Sequence, residues 1–270
     1  PHLGMEHQSA IAYGNHYKDG YYANGQGIDL SHSGQGLGWD FIIVHESAHE
    51  WFGNSITMQD QADMWIHESF ANYAENLFVE CGAGKDAGAQ YVIGTRANVQ
   101  NDRPIIAPYG VNAEGSGDMY YKGGNMLHTI RQIVNDDEKW RGILRGLSHT
   151  FYHQTVTTRQ IESYMSAQAG VDLSPVFDQY LRTTQLPVFE YRLVDSTLLY
   201  RWTDAVPGFD LPVRVTVADG TWDLIHPAAR WQVAHVHLSN PDLFRVDDNY
   251  YVLAARTPVR PPMKPAGASR

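Results

Sequence analysis

A single cysteine, Cys81, among 270 residues excludes an internal disulfide framework, and no Cys-x-x-Cys pair offers a thiolate metal site. Cys81 falls at the end of a helical run and reads as an inert small hydrophobe rather than a nucleophile. Basic residues are scarce as well. Twenty Lys and Arg against thirty Asp and Glu leave a net charge of −10. That argues against nucleic acid as a partner, since phosphate binding needs clustered Lys and Arg. The surplus acid favours solubility. No apolar run is long enough to span a membrane, and no signal peptide opens the chain. The compartment stays open, because one cysteine suits the cytoplasm and an exported protein alike. Pro1 stands where an initiator Met would, inside an extended stretch, so a piece of a longer chain is expected. What the sequence does have is apolar mass. It is 43% hydrophobic and 12% aromatic, enough for one large domain or two modest ones.

The polar residues that matter sit in one stretch, Phe41 to Glu75. His45, Glu46 and His49 are spaced as HExxH, and eighteen residues separate His49 from Glu68. A helix turns about 100° per residue, so His45 and His49 project from one face and can reach one ion. Imidazole nitrogens suit zinc, and a catalytic zinc takes three protein ligands and keeps a place for water. Glu68, an acid on a neighbouring helix, is the natural third ligand for one Zn2+. Glu46 follows His45 directly and falls beside the metal, where it can take a proton from that water. The first helix is apolar nearly all round, so burying its polar trio without an ion would be costly. Gly53 and Asn54 are expected to end it. A second helix is predicted from an Asp63 N-cap through about Glu80. Glu68, Asn72 and Glu75 share a stripe on it, and Asn72 or Glu75 can hold a ligand histidine by its other ring nitrogen. A solvated helix charge is the alternative for Glu75.

The rest of the chain falls in order around that stretch. Residues 1–14 read as extended, beside the cleft, with Glu6 placed to meet a positive group on a substrate; an ordinary strand acid is the alternative. Residues 15–38 have no period and read as a loop, with His16 and His32 on its surface. Helices are predicted over 86–102, 119–134, 138–152, about 157–168 and 173–184. The fourth opens on a Thr157–Gln160 capping box and ends at Gly170. Pattern alone reads Tyr120 and Tyr121 as packing aromatics, although a hydroxyl there can donate to an oxyanion. At Pro187 the texture changes to short alternating runs over 188–195, 196–203, 211–218, 230–239 and 249–257, the strands of a small antiparallel sandwich. His235 and His237 share a strand face and read as outward polar residues. The proline-rich tail, 257–270, reads as a flexible end.

Four motifs carry a family resemblance. HESAHEWFGN (His45–Asn54) resembles the HExxHxWFGN signature of the aminopeptidase N family of zinc peptidases, whose catalytic domain is thermolysin-like. WIHESF (Trp65–Phe70) is similar to its WLNEGF, GMEH (Gly4–His7) to its GxMEN exopeptidase motif, and YYKG (Tyr120–Gly123) to its YEKG. The resemblance covers about residues 1–185, and the later strands are similar to the β-sandwich that follows the catalytic domain in many members. It implies an α+β fold, a mostly helical thermolysin-like zinc peptidase domain over 1–185 and a small antiparallel β-sandwich over 186–256. It also implies roles. His45, His49 and Glu68 hold zinc, Glu46 is the general base and later proton donor, Gly4, Met5 and Glu6 meet the substrate, and Tyr120 stabilises the oxyanion. His7, His67 and Ser69 depart from the usual Asn, Asn and Gly.

The expected function is a zinc aminopeptidase acting on peptides with a free N-terminus. A thermolysin-like endopeptidase and a zinc-dead binding module are the alternatives. Oligomeric state and preferred residue are not legible.

Overall fold

The computed structural model describes residues 3–258. The chain divides into two compact units. The first holds the residues up to Gln185 together with Asp248–Tyr251, and the second holds Leu186–Asp247 and Val252 onward.

The first unit opens with two short hairpins, β1 (Gly4–Met5) with β2 (Ala12–Tyr13) and β3 (Tyr21–Ala23) with β4 (Gln26–Ile28). The second hairpin corrects the expectation of a structureless loop over 15–38. Asn24 and Gly25 both take positive φ, 52° and 85°, and Asn-Gly is the pair that a tight hairpin turn favours. Helices α1 (Phe41–Ala48), α2 (Trp65–Ala83), α3 (Lys85–Gly94), α4 (Tyr121–Val134), α5 (Asp137–Thr150), α6 (Thr158–Ala169) and α7 (Ser174–Arg182) follow. Two strands, β5 (Ile56–Met58) and β6 (Gln154–Val156), pair in parallel.

Local chemistry explains most of the boundaries. The Thr157–Gln160 capping box opens α6, and Gly170 closes it in the left-handed conformation at φ 73°. Pro175 lies in the first turn of α7, where its missing N–H costs nothing. Asp63 does not cap α2. A short 3₁₀ turn, Gln61–Asp63, precedes that helix and is capped by Asp60. The buried Asp63 carboxylate instead accepts from the Thr158 backbone N–H and hydroxyl at the start of α6, and from the Tyr109 hydroxyl. The helix expected over 86–102 ends at Gly94 and tightens to 3₁₀ geometry over Thr95–Asn98. Trp65, Ile66, Phe70, Tyr73, Leu127, Ile130, Trp140, Leu147 and Phe177 are buried in this unit. Cys81 is exposed, so it does not serve as a core hydrophobe.

The second unit is built from β7 (Val188–Val194), β8 (Thr197–Thr203), β9 (Val213–Ala218), β10 (Thr221–Ile225), β11 (Gln232–His235) and β12 (Leu253–Arg256). Four of these form a sheet in the order β11-β8-β7-β12, and β9 pairs with β10 as a separate hairpin. The sheet is mixed rather than antiparallel, because β12 runs parallel to β7. A parallel partner needs a long connection, and β12 is reached only after four intervening strands. Strand alternation encodes which face is buried and not which way the strand runs. β10 was not among the expected strands. Phe189, Trp202, Phe209, Val213 and Phe244 form the buried side of this unit, with edge-on ring contacts of 5.7 Å between Phe189 and Trp202 and 5.4 Å between Trp202 and Phe209. His235 and His237 are exposed. The expected tail lies, beyond Pro258, outside the described residues. No helix among the described residues is long and apolar enough to cross a membrane.

Candidate metal centre

Two helices supply the site. On α1, His45 and Glu46 are buried while Ile43 is half-exposed at 49%, so the helix is not enclosed all round as its composition implied. It also ends a turn earlier than expected, at Ala48, with His49 still in helical geometry as its cap. The chain then folds back on itself. The Asn54 N–H donates to the His49 carbonyl and the Gly53 N–H to that of Ile56. Gly53 sits at φ 139°, and a Cβ there would lie 3.3 Å from His49 Nδ1. Only glycine meets both conditions. The stacking of Phe52 on Phe70, 4.4 Å between ring centres, ties this turn to α2.

The ligand atoms converge. His45 Nε2 and His49 Nε2 are 3.2 Å apart, and Glu68 Oε2 lies 3.2 Å from the first and 3.5 Å from the second. Tetrahedral coordination with arms of about 2.0–2.1 Å has ligand-to-ligand edges of about 3.3–3.4 Å. The three donors therefore already stand at the corners of one tetrahedral face. The far sides of both rings are held. His45 Nδ1 donates to Glu75 Oε1 at 2.7 Å and His49 Nδ1 to the Phe52 carbonyl at 2.8 Å. Each ring thus carries its proton on Nδ1 and turns a lone pair on Nε2 inward. Of the two stripe residues proposed to hold a histidine, Glu75 does so. Asn72 instead donates to the Glu75 carboxylate, 3.3 and 3.2 Å from its two oxygens.

The electrostatics ask for a cation. Burial works against charge on His45, but hydrogen bonds to Glu68 and Glu75 outweigh it and raise its pKa. Burial works the same way against the Glu68 carboxylate, yet the two histidines hold its pKa below the usual carboxylate range. Both shifts have the sign of a site in which a positive charge between these groups is favourable. Glu46 is buried, its pKa raised chiefly by that burial, and its Oε2 has no hydrogen-bond partner among the described residues.

Other expected residues fall into two groups. Gly4 and Glu6 reach the site. A Cβ on Gly4 would lie 2.1 Å from Glu46 Oε1, so the β1 backbone passes directly over the carboxylate. Glu6, Glu46 and His49 have ligand atoms within 4.8 Å of one another, and Asn54 Nδ2 anchors the strand by donating to the Glu6 carbonyl at 2.9 Å. Met5 is 41% exposed and is not among the residues that line the cleft beside Glu46. Tyr120 stacks at a tilt 5.8 Å from His45. Its pKa is pushed well up by burial and by Glu68, Glu6 and Glu114, so its hydroxyl keeps its proton at neutral pH. A cleft of about 300 Å³ opens here, lined by Leu3, Tyr21, Leu30 and Phe41 together with His45, Glu46 and Tyr120. His67 is buried with its pKa lowered by burial to about 4, and its Nε2 accepts the Met58 N–H at 2.9 Å. Tyr91 was missed. Its hydroxyl donates to Glu75 Oε2 at 2.5 Å, and no sequence spacing connects it to the ligands.

Residues 35–180, more than half of the chain, match the peptidase family M1 domain. The chain belongs to peptidase family M1. Among curated relatives, aminopeptidase N of Lactococcus lactis subsp. lactis is 29% identical over 171 residues, which cover 58% of this chain and 20% of that one. Mouse endoplasmic reticulum aminopeptidase 1 is 30% identical over 129 residues, 44% of this chain and 14% of that one. This M1 chain thus spans about a fifth or less of such relatives. The crystal structure of Legionella pneumophila aminopeptidase A in complex with aspartic acid aligns at a TM-score of 0.61 with 13% identity, covering 81% of this chain and 27% of that chain. That likeness concerns the fold alone. The donor set fits the zinc that the motif resemblance leads one to expect: two imidazoles and one carboxylate, beside a buried acid whose Oε2 has no hydrogen-bond partner among the described residues.

Proposed function

We propose that this chain is the catalytic part of a zinc aminopeptidase that removes N-terminal residues from peptides. The supporting observation is the convergence of His45 Nε2, His49 Nε2 and Glu68 Oε2 within 3.2–3.5 Å beside the unpartnered Glu46 Oε2. These three residues would hold one zinc ion, which when bound supplies Lewis acidity for the scissile carbonyl and makes water a better nucleophile.

The chain's own residues do the rest. Glu46 takes a proton from the attacking water and later delivers it to the leaving nitrogen. Burial, which raises its pKa, suits a group that must gain and lose a proton near neutrality. The Tyr120 hydroxyl, kept protonated, donates to the oxyanion that forms on the carbonyl. Glu6 and Glu46 place two carboxylates close together, and such a pair is relieved by a positive group. An α-ammonium bound at Glu6 would register the substrate so that cleavage falls after its first residue. Glycine at position 4 spares Glu46 the collision that any side chain there would make with its carboxylate.

A panel of aminoacyl chromogenic amides, assayed with chelator and then with added zinc, tests this. Hydrolysis that disappears with chelator, returns with zinc and is absent on N-acetylated peptides is the expected result. Equal cleavage of acetylated peptides would convert the reading to an endopeptidase. A zinc-free, inactive sample would leave a binding module.

A further inference from the structure

Helix α3 supplies no ligand, yet one of its side chains reaches the metal centre from behind. Glu75 lies on α2 with 2% of its surface exposed, and its two oxygens have different tasks. Oε1 accepts from His45 Nδ1 at 2.7 Å. Oε2 accepts from the Tyr91 hydroxyl at 2.5 Å and from Asn72 Nδ2 at 3.2 Å. The contact to Tyr91 is the shorter by far, and a short O–H···O bond to a carboxylate is a strong one. Asn72 straddles both oxygens at long range, so by itself it does not fix the carboxylate's rotation.

Tyr91 is itself held in place. It is 2% exposed, and its ring packs 5.6 Å from that of Trp39. Trp39 Nε1 donates to the Gln35 carbonyl at 2.9 Å, and Gln35 Nε2 donates to Gln90 Oε1, one residue before Tyr91, at 3.1 Å. The segment that leads into α1 is thereby fastened to α3 at the point where α3 touches Glu75.

We propose that Tyr91 is a positioning residue for the metal centre: through Glu75 it fixes the tautomer and ring orientation of His45. The inference rests on His45, His49 and Glu68 being the zinc ligands. Without the hydroxyl, Glu75 keeps its bond to His45 but loses the contact that sets its angle, and the imidazole is held less rigidly. Changes to groups that hold a ligating histidine from behind typically lower metal affinity about 10- to 100-fold.

The test is zinc affinity of the full chain, measured by competition with a chromophoric chelator, in native protein, Tyr91→Phe and Tyr73→Phe. Tyr73 is the control. It is a tyrosine on α2 that is 1% exposed, and its hydroxyl accepts from Trp140 Nε1 at 3.1 Å, away from the ligands. Tyr91→Phe should bind zinc about 10- to 100-fold more weakly, and Tyr73→Phe should match native protein, whatever either variant loses in Tm. Equal affinity in native protein and Tyr91→Phe overturns the proposal and leaves the metal centre standing. Equal weakening in both variants also overturns it, because general loosening would then be the cause. Failure of native protein to bind zinc removes the ligand set on which it rests.

Discussion

Helices α2 and α5 lie in the same unit and solve different problems. α5 buries Trp140, Ile143 and Leu147 and turns the remainder outward. Asp136 caps it by accepting the Lys139 N–H, and an exposed Arg141–Glu138 pair decorates its outer face. Each of those choices favours the folded chain or is neutral. α2 buries twelve residues, and six of them are His67, Glu68, Ser69, Asn72, Glu75 and Asn76. Burying that many polar groups is unfavourable unless each finds a partner. Asn72, Glu75 and Glu68 do so in a chain that runs from Tyr91 to His45. Ser69 donates to the Met119 carbonyl and His67 accepts the Met58 N–H, while the Asn76 amide has no hydrogen-bond partner among the described residues. A helix built only to stabilise the unit would carry apolar residues at these places. Under the proposed function, the contrast separates residues that serve chemistry from residues that serve packing, and perturbing each class tests it.

The largest effect is expected at the polar end. Glu46→Gln keeps the shape of the side chain and removes its basicity. It should lower kcat on aminoacyl amides about 10²- to 10⁴-fold while zinc content and Tm stay near those of native protein. Activity within a few-fold of native would show that the unpartnered carboxylate takes no part in proton transfer. The mirror experiment is Leu147→Ala on α5, a residue with no exposed surface. It should cost about 2–5 kcal/mol of stability, read from denaturant unfolding, and leave zinc affinity unchanged. If it weakened zinc binding as strongly as a change at Glu75, the two helices would not divide chemistry from packing.

How much of this was legible before the structure depends on the range of the interaction concerned. His45 and His49 are four residues apart, and helix geometry alone places them on one face. Glu75 follows Glu68 by seven residues, two turns, so the two carboxylates that meet His45 on opposite sides were already on one stripe. The Thr157–Gln160 box is equally local and was read directly. Interactions between distant segments left no such trace. Nothing in the spacing says that the Gly4 backbone passes over Glu46, that Asp63 serves α6 rather than its own helix, or that Tyr91 supports Glu75. Strand direction was invisible for the same reason. β12 alternates like an antiparallel strand, and its parallel pairing with β7 depends on the path taken in between. The Asn24-Gly25 turn is a local signal too, but its flanking strands of three residues carry too little alternation to mark a hairpin.

A buried polar residue outside the centre sharpens the comparison further, with the smallest of these effects. His128 on α4 is 3% exposed. Its Nε2 donates to Asn249 Oδ1 at 2.8 Å, and its Nδ1 is buried with no hydrogen-bond partner among the described residues. Burial lowers its pKa to about 4, with the Asn249 bond opposing and Arg131 and Arg96 assisting. A histidine whose pKa falls from 6.5 to about 4 on folding is neutral in the folded chain and takes up a proton only on unfolding in that interval. Its contribution is therefore complete above pH 6.5 and is lost as pH falls towards 4, by up to about 3 kcal/mol. His67 shifts in the same direction, so His128→Gln should remove part of the acid dependence and not all of it. Unfolding of both proteins in denaturant with chelator present, between pH 7 and pH 4, measures the difference without interference from metal release. Parallel curves would mean that His128 gains its proton in the folded chain as readily as in the unfolded one. A shallower curve for the variant would mark His128 as a polar residue whose burial costs acid stability without serving the site, which is the class that α2 does not contain at Glu68, Asn72 or Glu75.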